Sequence, residues 1–427
     1  MTERGASAPS GGSEPHAVGS VGALRVAVLS RIFSTAGGGA ERYSVSLVKE
    51  LAAQHEIHVF AQRFGEPIAG VTYHRVAGDG LKPRWVNQLW YAWASWRATR
   101  RGFDVVHSHE NSWHGQVQTV HVLPVCHTLF AGRSGWRRVT KWIAVATSPR
   151  LWTYLGLEGA RMAPRPGRMV VAASASLRDT LAAAYPASAA QLAVLTPGVA
   201  LPVLPVEGER PAQRRAAREV LGLRADGPCV LFVGNDYRRK GLDALLQALA
   251  QVSTQGAGDA VLAVVGQGLP GQAEAYARQA EALGLGGRVR FLGTQADMGP
   301  AYRAADLLAH PTLEDTFAMV VLEAMAHALP VVVSGPAHCG IASELHDGAD
   351  ALVLPDPHDV PALAQRLGAL LGDVGLRERL GAAARAFAER CGWPAVARRQ
   401  AELYAAVAAT GALRSASASV RPSATQK

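Results

Sequence analysis

Two adjacent cations in the C-terminal half of the sequence could bind a phosphorylated ligand. Arg239 and Lys240 close a polar loop, residues 234–241, and stand at the predicted start of a helix. Two cations at a helix N-terminus are unfavourable for the helix macrodipole, and a bound anion would offset their repulsion. Arginine offers a bidentate fork and lysine a point charge, which together suit a pyrophosphate. The alternative is a solvated basic loop that binds nothing.

Three carboxylates lie further along the same half of the chain. Glu314 and Asp315 belong to a predicted loop, and Glu323 lies inside the apolar run 319–325 of the helix that follows. Burying a carboxylate in such a run is costly unless a donor hydrogen-bonds to it. The two hydroxyls of a ribose would supply such donors. The alternative is a helix cap at residues 314 and 315 and a Glu323 that only packs between helices.

A glycine-rich loop at residues 37–39 is the corresponding feature of the N-terminal half. Gly38 and Gly39 follow a predicted strand and open a predicted helix. A backbone without side chains can approach a phosphate or a sugar closely, and helix N-termini favour anions. A tight turn between strand and helix, without a ligand, is the alternative.

Several histidines follow predicted strands in the same half. Histidine can act as a base or as a hydrogen-bond donor near neutral pH, which makes His121 a candidate for the reacting centre, although a lone histidine is more often structural. His107, His109 and His114 could suggest a metal ion, but no cluster of carboxylates accompanies them. We therefore predict no metal site.

The elements that must position these residues are short strands alternating with amphipathic helices, a pattern that favours parallel sheets with crossover helices. We predict strands at 24–29, 57–60, 105–107, 169–172, 229–233, 261–265, 289–292, 307–308, 331–333 and 351–354. Two doubly wound halves would each bind a ligand outside the carboxyl ends of their strands. If the halves face each other, both glycine-containing loops line one cleft.

The composition is that of an ordinary globular protein, with 49% hydrophobic and 18% charged residues. No apolar run reaches the roughly 18–20 residues that span a bilayer. Residues 1–20 lack the basic start and apolar core of a signal peptide, and we interpret them as disordered. The four cysteines are widely spaced without a CxxC pair, which favours reduced thiols in a cytoplasmic protein.

Positive charge and tryptophan are concentrated in residues 82–168. This stretch holds thirteen Lys or Arg against three Asp or Glu, a net charge of +10, whereas the whole chain carries +9. It also holds eight of the nine tryptophans. Cations mixed with indoles suit an anionic membrane surface, so peripheral association with the inner membrane is one interpretation. A basic surface over a tryptophan-containing core is the alternative, and we do not expect nucleic acid as a partner.

Several motifs together resemble the retaining glycosyltransferases of family 4, which have the GT-B fold. The matching segments are 38–43 (GGAERY), 104–107 (DVVH), 196–199 (TPGV), 233–241 (VGNDYRRKG) and the residues from His310-Pro311 to 326. The resemblance extends over residues 24–405. Three further segments resemble the lipopolysaccharide core glucosyltransferases within this family: 239–243 (RKGLD), 305–311 (ADLLAHP) and Cys339-Gly340.

The resemblance implies a role for each candidate residue. Arg239 and Lys240 would hold the donor pyrophosphate and stabilise the leaving nucleoside diphosphate, so no metal and no cofactor is implied. Glu323 would bind the ribose, as the second acid of a motif whose first acid contacts the donor sugar. Asp315 stands at that first position in place of the usual glutamate, and the neighbouring Glu314 is the alternative.

Four other residues complete the predicted site. Gly38 and Gly39 would approach the donor phosphate, and His121 falls near the anomeric carbon. We include Phe317, in the same loop as Asp315, among the substrate-binding residues. His121, Arg239 and Lys240 are the predicted catalytic residues, and no protein nucleophile is implied because the leaving phosphate can take the acceptor proton.

The fold implied is α/β of the GT-B type, with two Rossmann-like doubly wound domains that face each other across a cleft. The predicted division is a disordered segment 1–20, an acceptor-binding domain 21–205, a nucleotide-sugar-binding domain 206–390, a helix 391–412 that returns to the first domain, and a disordered tail 413–427.

The expected reaction is transfer of a hexose, with retention of configuration, from a UDP- or GDP-linked donor. The acceptor would be a hydroxyl of a cell-surface glycan or a lipid-linked precursor. A sugar-nucleotide epimerase or hydrolase is an alternative, but only Glu41 and Glu110 could serve as its carboxylates in the first half. A non-catalytic protein that binds nucleotide sugars on the same fold is a second alternative.

Overall fold

The computed structural model of the chain describes residues 22–35, 38–206, 208–254 and 259–419. The segment 1–20, for which the sequence predicts disorder, lies outside the described residues. Gly37, which belongs to the predicted ligand-binding loop, lies outside them too. So do residues 420–427 of the predicted tail.

The N-terminal half is built on a seven-stranded parallel sheet in the order β5-β3-β1-β6-β7-β8-β9. Its central strands are buried on both faces, and the strand at 25–29 is accordingly an apolar run after its first residue. The strands at 105–108 and 117–120 also bury polar side chains, among them His107 and Gln118. A short parallel pair, β2 with β4, lies beside it. The strands are β1 (Arg25–Leu29), β2 (Ile32–Phe33), β3 (Glu56–Ala61), β4 (Arg63–Phe64), β5 (Val71–Arg75), β6 (Val105–Ser108), β7 (Val117–Val120), β8 (Met169–Ala172) and β9 (Leu192–Val194).

The C-terminal half is built on a six-stranded parallel sheet in the order β12-β11-β10-β13-β14-β15. Its core includes Phe232 and Leu308, which are fully buried. The strands are β10 (Cys229–Val233), β11 (Val261–Val265), β12 (Val289–Gly293), β13 (Leu307–His310), β14 (Val331–Ser334) and β15 (Leu352–Leu354).

Helices connect the strands and cover the sheets, as parallel connections require. Those of the first half are α1 (Gly39–Leu51), α2 (Arg84–Thr99), α3 (Val125–Phe130), α4 (Gly135–Ala146), α5 (Pro149–Met162) and α6 (Ala175–Ala184). Those of the second half are α7 (Arg210–Val220), α8 (Leu242–Thr254), α9 (Gln272–Ala282), α10 (Gly299–Ala304), α11 (Met319–Ala326), α12 (Val360–Gly372) and α13 (Val374–Arg390). The last helix is α14 (Trp393–Ser419), and two short 3₁₀ helices lie at Pro186–Gln191 and Gly340–Glu344.

The strand order of each sheet reverses at one place, and the predicted site residues cluster there. In the first sheet the reversal lies at β1, between β3 and β6, and in the second at β10, between β11 and β13. The loops after β1, β10 and β13 therefore diverge from the sheet and leave a crevice at its carboxyl edge, where ligands of such folds bind. The predicted doubly wound α/β architecture is confirmed.

Helix α14 leaves the second domain and packs on the first sheet. The backbone N–H of Val199 donates to the carbonyl of Cys391 at 2.9 Å where the two segments cross. Tyr404 and Val407 then lie in the core of the first domain, with α1 alongside. The helix extends to Ser419, beyond the predicted boundary at residue 412.

Candidate active site

Two adjoining cavities lie between the domains at the carboxyl edges of both sheets. The Lys240 cavity, of about 480 Å³, is lined by the loops after β10 and β13 and by the start of α1. The Glu323 cavity, of about 520 Å³, is lined by α10, α11 and residues 198–202. Gly39, Arg42, Tyr43 and Met319 line both. Together they form one cleft whose two walls come from different halves of the chain.

An ion pair between Lys240 and Asp315 closes one wall of the Lys240 cavity. The Lys240 Nζ donates to Asp315 Oδ2, and both side chains are largely buried. Burial would raise the pKa of the Asp315 carboxyl, but the His310 ring and the Lys240 charge outweigh it and hold that pKa well below its usual value. Asp315 is therefore an anion at neutral pH, and two of the three Lys240 donors are available to a ligand.

Asp315 also organises the backbone at the start of α11. Its Oδ1 accepts the backbone N–H of Ala318 at 2.9 Å and that of Phe317 at 3.3 Å. Ala318 has φ = +72°, a left-handed conformation that is uncommon for residues other than glycine. Such strain persists only where the surroundings hold it, and it is concentrated at functional sites. The start of α11 therefore borders the Lys240 cavity, whose lining includes Met319 and Val320.

Close packing of glycine connects the two loops of the second domain. Gly241 has φ = +82°, and a methyl group there would overlap the carbonyl oxygen of Pro311 in the loop after β13. The backbone N–H of Leu313 donates to the carbonyl of Arg239 at 2.8 Å. These contacts bring Lys240 within reach of Asp315, 75 residues further along the chain.

Arg239 lines the Lys240 cavity with a half-exposed side chain. Its guanidinium lies 3.7 Å from Asp236 and 3.8 Å from Glu314. Glu314 is more than half exposed and is absent from the lining of both cavities within the described residues. The structure thus brings Asp315, but not Glu314, into the cavity.

Glu323 projects from α11 into the second cavity. The Tyr302 hydroxyl donates to Glu323 Oε2 at 2.6 Å, and this donor is one that the sequence analysis missed. Burial raises the pKa of the Glu323 carboxyl, against the lowering effects of Tyr302 and of the Arg42 charge. Arg42 comes from α1 of the opposite domain, so its charge reaches the second domain's carboxylate across the cleft.

The N-terminal residues of α1 form the facing wall. Gly38 is the N-cap, with no side-chain cap, and Gly39 lines both cavities. A methyl group on Gly39 would meet nothing within 4 Å, so the cavity extends directly to this backbone. Gly38 caps the helix without itself lining either cavity.

His121 lies at the bottom of the Lys240 cavity and is one of a row of three histidines. Its Nε2 lies 3.1 Å from His109 Nδ1, and the His109 ring stacks on that of His121. The other neighbour of His109 is the His107 ring, which is tilted against it by 40°. Burial, with the nearby Arg161 charge, lowers the pKa of His121 to about 3. The ring is therefore neutral at physiological pH and acts there as a hydrogen-bonding group, not as a cation.

Three hydrogen bonds between the domains hold the cleft in its present shape. Thr316 Oγ1 donates to the carbonyl of His121 at 2.9 Å, and Ser174 Oγ donates to the carbonyl of Thr316 at 3.0 Å. Ser176 Oγ donates to the carbonyl of Pro336 at 3.0 Å. Ser174 and Thr316 could not be predicted from the sequence, because nothing in local spacing connects residues 142 positions apart.

Phe317 is buried next to this junction and lines the Lys240 cavity. The predicted residues Gly39, His121, Arg239, Lys240, Asp315 and Phe317 are thus brought together in one cavity. Glu323 lies in the adjoining one. Among the described residues no group of three His, Cys, Asp or Glu side chains is placed to hold a metal ion.

Comparison with known proteins gives the family. Residues 37–201 match the pattern described as Glycosyltransferase Family 4, and residues 227–373 match that of Glycosyl transferases group 1. A D-inositol 3-phosphate glycosyltransferase from Xylanimonas cellulosilytica is 35% identical over 304 residues, covering 65% of this chain and 70% of that protein. The chain belongs to the family-4 glycosyltransferases. The two family patterns and this relative also identify the chain as a glycosyltransferase.

Solved structures confirm the GT-B fold of this glycosyltransferase. WaaG, a glycosyltransferase involved in lipopolysaccharide biosynthesis, superimposes with a TM-score of 0.71 at 22% identity, over 89% of this chain and 99% of that one. Alr3699/HepE from Anabaena, in complex with UDP-glucose, superimposes with a TM-score of 0.64 at 20% identity, over 90% and 100%. At these identities the likeness concerns the fold.

Proposed function

We propose that this glycosyltransferase transfers a hexose, with retention of configuration and without a metal ion, from a UDP- or GDP-linked donor to an acceptor hydroxyl. The observation that carries the proposal is the pairing of the two cavities. Lys240 and Arg239 offer positive charge in one, and the partly satisfied carboxylate of Glu323 lies in the next. A nucleoside diphosphate sugar has the complementary order of groups, with a ribose diol, a pyrophosphate and a sugar in sequence.

Each residue has a defined role in this proposal. Lys240 and Arg239 bind the pyrophosphate, together with the backbone N–H groups at the start of α11, and stabilise the negative charge that develops as the diphosphate leaves. Glu323 accepts hydrogen bonds from the ribose through the oxygen that Tyr302 does not use. Asp315 accepts from a hydroxyl of the donor sugar while it keeps Lys240 in place.

Retention follows if the acceptor hydroxyl attacks from the face on which the diphosphate leaves. The glycosidic bond to the diphosphate breaks as the bond to the acceptor oxygen forms, and the departing phosphate oxygen takes the acceptor proton. In this proposal the neutral His121 donates or accepts a hydrogen bond at the sugar, and it is not required to become a cation. Among the described residues that the first domain contributes to either cavity there is no Asp or Glu, which disfavours an epimerase with carboxylate acid–base residues there.

The acceptor is proposed to be a cell-surface glycan or lipid-linked precursor, handled at the inner face of the membrane by a cytoplasmic enzyme. Lipopolysaccharide core is one such glycan and accords with the segments at 239–243 and 305–311. A second candidate is an inositol phosphate, because a 35% identical relative is named D-inositol 3-phosphate glycosyltransferase. Arg42, which lines both cavities, supplies charge that such a phosphate could use.

The test is a donor screen followed by turnover. Thermal shift with UDP-glucose, UDP-galactose, UDP-N-acetylglucosamine and GDP-mannose should show one donor that raises the melting temperature, since ligand binding stabilises by mass action. Replacing Lys240 by Ala should weaken that donor's binding by roughly tenfold to a hundredfold, the range for losing one charged hydrogen bond. Lys49→Ala, at an exposed position of α1, is the matched control and should bind as the wild type does.

Three outcomes contradict the proposal. The first is that no donor binds, and the second is that Lys240→Ala binds as tightly as Lys49→Ala. The third is a product whose new glycosidic linkage, read by nuclear magnetic resonance, has the opposite anomeric configuration to the donor. An isomerised nucleotide sugar formed without any acceptor would favour the epimerase instead.

A further inference from the structure

The insertion between β7 and β8 contains a helix whose apolar side faces outward. Helix α4 has one buried residue, Val145. Its large apolar side chains are exposed instead, by 75% for Trp136, 45% for Val139, 53% for Trp142 and 54% for Ile143. At 100° per residue these four, which we call the α4 surface, fall within an arc of about 120°. A helix of a globular protein normally turns such an arc toward the core.

The charges around the α4 surface have one sign. Residues 111–157 contain five Lys or Arg and no Asp or Glu. Three of these cations lie on α4 itself, outside the apolar arc: Arg137, Arg138 and Lys141. Helix α4 therefore has an apolar face and a cationic face on its other side, which is the composition of helices that lie in the headgroup region of a membrane.

The nearest acid in the sequence after this stretch is turned away from it. Glu158, on α5, is buried, and its carboxylate accepts the backbone N–H groups of Val125 and Cys126 at 2.6 and 3.0 Å. The Tyr185 hydroxyl donates to the same carboxylate at 2.6 Å. Glu158 thus anchors the start of α3 and leaves no negative charge on the outside of the α3–α5 segment to oppose an anionic partner.

The geometry points to an anionic lipid bilayer as the partner of the α4 surface, with the helix lying parallel to the membrane and its two tryptophans at headgroup depth. A second copy of the chain fits less well, because a symmetric contact would place the same cations against one another. Nucleic acid fits less well too, because the outermost side chains are apolar and not cationic. This inference goes beyond the proposed activity and does not depend on it, since binding is measured without donor or acceptor.

The test is sedimentation of the full chain with lipid vesicles. At low salt the wild type should sediment with vesicles that contain phosphatidylglycerol, and much less with phosphatidylcholine alone. Raising the salt should release part of it, because screening weakens the contribution of the exposed charges. Trp136→Gln combined with Ile143→Gln should lower the partition coefficient at least about tenfold, since two apolar side chains lose their burial in the headgroup region.

The matched control is Val220→Gln combined with Leu269→Gln, which removes two exposed apolar side chains from the second domain. This control should bind vesicles as the wild type does. A further variant, Arg137→Gln combined with Lys141→Gln, should lose the preference for anionic lipid while it keeps the apolar arc, and it serves as the test if the Trp136/Ile143 variant fails to fold. Its own control is Arg398→Gln with Arg399→Gln on the exposed side of α14.

The inference is overturned by any of four results. These are a wild type that ignores anionic vesicles, an α4 variant that is folded and binds like the wild type, a wild type that pellets equally without vesicles, and equal binding to neutral and anionic lipid. Pelleting without vesicles would identify self-association. Release of the protein from the vesicles by added duplex DNA would identify a nucleic-acid surface.

Discussion

Single residues in the cleft have their ionisation set by partners from distant parts of the chain. Asp315 is kept anionic by Lys240 and His310, whereas burial raises the pKa of Glu323 despite Tyr302. The first carboxylate is thus stabilised by the fold, and the second is held at a cost that a ribose would reduce. A side chain whose burial is unfavourable is a common exchange of stability for function.

Glu323→Gln should therefore make the protein more stable at neutral pH. A carboxyl whose pKa is raised on folding carries a penalty above that pKa, and the penalty disappears below the ordinary value of 4.5, where both states are protonated. We expect a gain on the order of 1 kcal/mol at pH 7, which shrinks as the pH falls toward 4.5. Tyr302 can still donate to the amide oxygen.

The measurement is the free energy of unfolding of both proteins from pH 8 to about pH 5, the range above most carboxyl titrations. Glu378→Gln, at an exposed position of α13, controls for the loss of one negative charge. A Glu323→Gln protein that is less stable than the wild type, or whose advantage does not change with pH, contradicts the assignment. Under the proposed function the same variant binds the donor more weakly.

What the sequence could predict at this scale was the type of residue and not its partner. Lys240, Asp315 and Glu323 stand in loops and helices whose positions follow from hydrophobic pattern, so they could be placed at the strand ends. Tyr302 and Thr316 could not, because their contacts depend on how α10 lies against α11 and how one domain closes on the other. Asp315 could be preferred to Glu314 only once their exposures were known.

The candidate site lies on loops that follow the strands, and these loops are held together by contacts between their backbones. The loop after β10 and the loop after β13 meet where Gly241 lies against Pro311. Strands such as Cys229–Val233 and Val261–Val265 were predictable because they are buried on both faces and so appear in the sequence as unbroken apolar runs. The α3–α5 insertion was not, because an outward-facing apolar helix violates the rule on which such predictions depend.

Gly241→Ala should be severely destabilising, by at least about 4 kcal/mol, because it adds a clash with backbone to an unfavourable φ. Gly287→Ala is the matched control. Gly287 has nearly the same φ, +73°, but a methyl group there would meet nothing within 4 Å. That substitution should cost about 1 kcal/mol, the strain of the left-handed conformation alone.

Chemical denaturation of the three proteins measures both values. Equal losses for Gly241→Ala and Gly287→Ala would mean that the loop after β13 moves away from Gly241 readily. The packing account of the Lys240–Asp315 geometry would then be wrong.

The molecule as a whole is tied together by α14, which carries the end of the chain back to the first domain. The Tyr404 hydroxyl lies 2.6 Å from Nδ1 of the fully buried His107, and His107 Nε2 lies 2.7 Å from Thr119 Oγ1. This hydrogen-bonded chain connects the last helix to strands β6 and β7. The sequence does not predict this contact, since His107 and Tyr404 are 297 positions apart.

Tyr404→Phe should lower the stability of the first domain by about 1–3 kcal/mol, because the buried His107 Nδ1 loses its partner. Tryptophan fluorescence during denaturation reports mainly on that domain, which holds eight of the nine tryptophans within residues 82–168. Tyr154→Phe is the control, since the Tyr154 hydroxyl makes no hydrogen bond among the described residues. Identical unfolding midpoints for the two variants would contradict a structural role for the α14 contact.

The path of α14 also bears on how the protein is made. The first domain is discontinuous in the gene, since Val396, Ala397, Tyr404 and Val407 fill a core whose other buried residues end at Leu195. At synthesis rates of roughly 5–20 residues per second, the ribosome needs about 10–40 s to translate the intervening 200 or so residues. During that interval the α1 face of the nascent first domain is uncovered, while the second domain can already fold. The growing chain therefore exposes an apolar surface to chaperones until its C-terminus emerges.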